Sequence, residues 1–127
     1  MAHGWTLWEF EQPSGRRPFS EWLAGIPEAA QAFVLNRLLK MEGVTRWPEK
    51  WASDYKGYDG IVELRVTFNK VQYRPLGMYG KHERRSFVLL AGAIEKNRKL
   101  PKSALKAAAD RRDQLLEEPD RAKRYEF

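Results

Sequence analysis

The chain has no cysteine, which excludes disulfides, thiolate metal sites and thiol chemistry. Histidine is almost as scarce. With only two in the sequence, His3 and His82, a histidine-rich metal centre is excluded too, so any catalysis is expected to work without a metal or other cofactor. No apolar run approaches the roughly 20 residues of a membrane span, and none of signal-peptide length stands at the N-terminus. These absences predict a soluble, cytoplasmic protein that does not engage a membrane. There is no internal repeat, no low-complexity tract and no helix-turn-helix spacing, and the last of these weighs against a DNA-binding regulator.

What remains is a chain of 127 residues and net charge +6, predicted to form a single domain over 1–127 with its core at about 5–118. The charge is unevenly placed. Residues 1–60 hold 7 Lys and Arg against 8 Asp and Glu, a net −1, whereas residues 61–127 hold 16 against 9, a net +7. A basic half on a near-neutral half points to a polyanionic partner, with nucleic acid ahead of an acidic membrane surface.

In chain order, Trp5 to Glu11 reads as a β-prone strand, broken by Pro13-Ser14-Gly15. Pro18 opens a short helix with Phe19, Trp22, Leu23 and Ile26 on one side. After Pro27 the stripe Ala30, Val34, Leu38 and Met41 predicts a second helix over 28–42, ended by Gly43. These two form an N-terminal helical hairpin. Residues 43–60 read as an irregular connection anchored by Trp47 and Trp51, with base stacking as the competing role for one of them. From Ile61 to Phe68 apolar and polar residues alternate, as in a half-buried strand. Ser86 to Ile94 is apolar almost throughout, which predicts a central strand covered on both faces. Pro101 opens a last helix to about Glu118, and residues 120–127 are expected to fray. The fold class is therefore α+β: a small, antiparallel-rich sheet with a helical hairpin before it and a helix after it.

Asn69-Lys70 sits where a two-residue hairpin turn would join the 61–68 strand to Val71–Met78, although glycine is missing from its second place. That turn sets Arg65 opposite Arg74. Like charges so placed are mildly destabilising, so either an anion lies between them or Glu63 neutralises one arginine. On this register, truncating Arg74 would relieve a repulsion. Lys96, Arg98, Lys99, Lys102 and Lys106 follow with no acid among them up to Ala109, although cations in a first helical turn oppose the helix dipole.

The order of these pieces, carried by Lys56-Gly57-Tyr58-Asp59-Gly60, Glu63-Leu64-Arg65, Tyr73-Arg74, Lys96, Lys99, Pro101 and Ala109 with Arg112, resembles the phage-derived branch of the RelE/HigB superfamily of bacterial toxins. The resemblance implies a RelE-like fold and the toxin of a type II toxin–antitoxin system. Its activity would be that of an endoribonuclease cutting mRNA on the ribosome, held inactive by an antitoxin protein from an adjacent gene.

Cleavage of RNA by attack of its own 2′-hydroxyl needs charge stabilisation and proton transfer rather than a protein nucleophile. The planar fork of arginine suits phosphate oxygens, which selects Arg74 first and Arg65 second. Lys96, crowded by Arg98 and Lys99, is the candidate for proton transfer. Lys56, Tyr73, Arg98, Lys99 and Lys102 are candidates for binding RNA, with a core role competing for Tyr73 and a solvated loop position preferred for His82. Ala91, Ala93 and Glu95 stand where many relatives carry His, an aromatic and Lys. That departure keeps open a weakened module of the same fold that binds RNA or antitoxin without cutting.

Overall fold

The computed structural model describes residues 4–81 and 83–127; His82 lies outside them. Seven strands and three helices follow one another as β1 (Thr6–Phe10), α1 (Pro18–Gly25), α2 (Glu28–Glu42), β2 (Ala52–Asp54), β3 (Val62–Leu64), β4 (Val66–Phe68), β5 (Val71–Tyr79), β6 (Ser86–Ile94), α3 (Lys102–Glu117) and β7 (Ala122–Arg124). The strands make one mixed sheet in the order β2-β3-β5-β6-β1-β7, with β4 also on β5. Among the described residues only β1 and β6 run parallel. The fold is thus α+β with a mostly antiparallel sheet.

Each helix forms where an apolar stripe at helical spacing has a sheet face to cover. In α1, Phe19 and Leu23 are buried, and in α2 Ala30, Val34, Leu38 and Met41. Both helices pack on one face, over Leu7, Leu64, Val66, Tyr73, Phe87 and Leu89. On the other face Leu105, Ala108 and Leu115 of α3 cover Ile61, Leu76, Met78, Val88 and Leu90. β6 lies between β5 and β1 with both faces covered, which is what its unbroken apolar run requires.

One extra residue in β6 changes which face its end presents. Leu76 pairs with Ala91 but Gly77 pairs with Leu89, so Leu90 is bulged, and a bulge resets the alternation of side chains. Val88 and Leu90 point to α3, and so do Ala91 and Ala93. Gly92 then faces α1, where a Cβ would come within 2.0 Å of the Trp22 ring.

Three expectations need correction. Residues 61–68 are not one strand: β3 and β4 separate at Arg65, beside Pro75, which brings no N–H to the ladder. The stretch 43–60 holds a strand of its own, β2, paired with β3 from Ala52↔Leu64 to Asp54↔Val62. The tail does not fray. A 3₁₀ turn at Pro119–Arg121 leads into β7, which pairs with β1. Tyr125 then donates its N–H to the Leu7 carbonyl at 2.9 Å, with its side chain buried against Phe19.

Candidate nucleic-acid interface

The hairpin register is as the sequence implied. Val66, Thr67 and Phe68 pair with Tyr73, Gln72 and Val71, leaving Asn69 and Lys70 as the turn, both at positive φ of 50° and 66°. This is the conformation that matches the twist of a hairpin, and asparagine is among the few residues that enter it readily. A second turn of the same kind stands beside it. Asn97 and Arg98 have φ of 52° and 62°, and Lys96 and Lys99 exchange backbone hydrogen bonds at 2.9 Å across them. Because β5 begins where β6 ends, with Glu95 N–H on the Gln72 carbonyl at 2.9 Å, the two tips share one end of the sheet.

That end is cationic. Lys70, Lys96, Arg98, Lys99 and Lys102 are all exposed, and among the described residues none of them enters an ion pair. Lys70 is the member that sequence reading missed. Its signal was its place beside an Asn in a turn, which becomes informative only once the neighbouring tip is known.

Behind the rim the arginines are arranged differently from expectation. Continuing the ladder on either side places Arg65 level with Arg74, but they do not face each other bare. Glu63, itself only 7% exposed, takes Arg65 Nη2 on Oε1 at 2.8 Å and holds Oε2 3.9 Å from Arg74 Nε. Arg74 also reaches Glu95 at 3.6 Å, and it donates to Gln72 Oε1 at 3.1 Å and to the Tyr73 carbonyl at 3.2 Å. Its Nε is buried without a hydrogen-bond partner. The repulsion inferred for this pair is therefore replaced by a carboxylate shared between two guanidinium groups. Arg74 is 6% exposed whereas Arg65 is partly open, so Arg65 is the one that solvent and ligand can reach.

Two other candidates sit elsewhere. The Tyr73 side chain is 3% exposed and lies on the α1/α2 face, edge-on to Trp22; it is a packing residue, because strand alternation sends it away from its neighbour Arg74. Lys56 is exposed but lies in the loop before β3, at the end of the β3–β5 ladder remote from Arg74, and so it is not part of the rim. That loop turns through Gly57 and Gly60 at φ of 92° and 77° and is pinned by Arg112 of α3, whose Nη1 donates to the Asp59 carbonyl. Trp47 and Trp51 act as anchors: Trp47 packs edge-on to Phe87 and donates Nε1–H to the Met41 carbonyl, while Trp51 lies under the Arg37 guanidinium at 4.9 Å. Arg37 closes this corner by donating to the Arg65 carbonyl at 2.6 Å, and burial pulls its guanidinium down from the ordinary value.

One end of this α+β sheet thus gathers five exposed cations beside two arginines linked by the Glu63 carboxylate. Residues 21–113 match the family described as phage-derived protein Gp49-like (DUF891), and the chain belongs to that family, which is related to type II toxin–antitoxin systems. Comparison with curated proteins finds no match. No helix among the described residues is long and apolar enough to cross a membrane.

Proposed function

We propose that the protein is the toxin of a type II toxin–antitoxin module and cleaves mRNA on the ribosome by guiding attack of a ribose 2′-hydroxyl on the adjacent phosphate. The observation that carries this reading is the cationic end of the sheet, where exposed lysines and Arg98 rim the buried Arg74 and the partly open Arg65. Cations at the rim would track the phosphate backbone, a sequence-independent role that is satisfied by charge and reach. Arg65, with part of its fork open, would stabilise the charge that develops on the phosphate. Arg74, held by Glu63, Glu95 and Gln72, would act through Glu63 by fixing where Arg65 points. Lys96 is the proposed proton-transfer group, and the reading needs no metal or cofactor. The partner is an acidic, partly disordered antitoxin segment that folds onto the rim, since charge complementarity favours it.

A second reading is favoured by one observation: the carboxylates of Glu63 and Glu95 already occupy Arg74. A module so neutralised would bind RNA or antitoxin without cutting. Induced expression in bacteria, with RNA 5′ ends mapped genome-wide, separates the two. Growth arrest with new 5′ ends is expected for the toxin; growth without them would establish the binding module.

A further inference from the structure

We propose that the outer edge of β6 from Ala91 to Ile94 is a docking groove for an extended, acidic segment of a partner protein, which adds to the sheet as one more strand. The proposal stands whether or not the chain cleaves RNA. β6 is a central strand for most of its length, but its register with β1 ends at Glu9↔Leu89, and the chain leaves β1 at Phe10. Beyond that point β6 is an edge. Glu95 N–H bonds to Gln72 across β5, and Ala93 and Ala91 pair with Arg74 and Leu76, so alternation turns the N–H and C=O groups of Gly92 and Ile94 the other way. Arg111 Nη1 takes the Leu90 carbonyl at 2.8 Å, which closes the ladder just below the open stretch.

The open stretch lies in a groove of about 740 Å³ walled by Glu21 and Trp22 of α1 and by Ser103, Ala104 and Ala107 of α3. Walls on both sides keep a second whole sheet from stacking on this edge, the usual hazard of exposed strands, yet leave room for a single extended chain. Gly92 is part of the construction, because Trp22 packs where its Cβ would be. An edge of alternating donors and acceptors is matched by another peptide backbone, as in strand addition; nucleic acid supplies acceptors on its backbone but no such alternation. The groove carries three cations, Arg16, Lys96 and Arg111, against Glu21, which Arg16 already holds at 2.6 Å. The charge left over selects acidic side chains at the positions that flank the edge.

The test is an amide-resolved NMR titration of the full chain, to millimolar concentration, with a capped Val-Glu-Val-Glu-Val-Glu peptide. Hydrogen exchange at Gly92 and Ile94 is expected to slow at least tenfold, while the same peptide N-methylated at alternate residues, and a Val-Lys counterpart, leave it unchanged. Ala107→Trp, which fills the groove from α3, should abolish the effect at unchanged melting temperature; if that variant does not fold, Ser103→Glu on the same exposed wall should weaken binding several-fold. Unchanged exchange at Gly92 and Ile94 with the acidic peptide would overturn the proposal. So would protection of the same amides by a single-stranded oligouridine but not by the peptide.

Discussion

At the scale of single residues, the informative group is Glu63. Alternation along 61–68 put it on the face of Arg65, and the Asn69-Lys70 turn put Arg74 level with Arg65, so the cluster was legible in the sequence. Its energetic sign was not, because periodicity gives a residue's face but not whether one carboxylate can serve two cations. The shared carboxylate changes the expected behaviour of the variants. Arg74→Ala leaves Glu63 buried with one partner fewer, and breaking a buried pair this way costs about 3 kcal/mol; thermal melting should show a clear fall in Tm rather than the slight gain a bare arginine pair would give. Arg65→Ala also takes a partner from Glu63, the one that hydrogen-bonds Oε1 at 2.8 Å, but Arg65 is partly exposed, so water can take its place. Its Tm should fall less than that of Arg74→Ala, while RNA cleavage falls on the order of 100-fold, the usual cost of one well-placed charge-stabilising donor. Should the two variants exchange these behaviours, Arg74 and not Arg65 would be the group that meets the phosphate.

At the scale of elements, the helices, the central strand and the first hairpin could be read directly. Their signals are local: the Ala30-Val34-Leu38-Met41 stripe, the unbroken run of β6, and an Asn-led pair between alternating strands. β2 and β7 could not, since each has three residues and exists only because a partner strand offers its edge. β7 is the stronger case. Its residues are largely polar, and what holds it is pairing with β1 and the burial of Tyr125, whose phenol is pushed up to about 12 by burial, with the Glu9 carboxylate adding to the effect. An unfolded tyrosine titrates near 10, so the folded state keeps its proton longer than the unfolded state does. The stability this gives is fully present below about pH 10 and is lost as the pH rises through about 12. Denaturant melts across that window should show the loss, and Tyr125→Phe should remove the part of it due to this group. An alkaline profile identical in the two proteins would mean that the tail is not docked as described.

At the scale of the whole molecule, the division of charge into −1 and +7 halves finds its physical form in the sheet end where β5 begins and β6 finishes. Composition could indicate a polyanionic partner; only the pairing of β5 with β6 brings Lys70 next to Lys96, Arg98 and Lys99. Contacts of this kind make binding depend steeply on salt, at about −0.7 in log K per log salt for each phosphate neutralised on a single strand. Five rim cations therefore lead to an expected slope of about −3.5 for binding of single-stranded RNA, and Lys70→Ala should make it shallower by about 0.7 without touching the core. A slope near −1 would mean that most of the rim stays out of contact. That this basic sheet end cleaves mRNA through the ribose 2′-hydroxyl is tested most directly by incubating the purified protein with mRNA-programmed ribosomes and identifying the chemistry of the new 3′ ends. The expected result is 2′,3′-cyclic phosphate ends from the parent and their near disappearance with Arg65→Ala; new ends that carry a free 3′-hydroxyl, or cleavage that Arg65→Ala leaves intact, would contradict it.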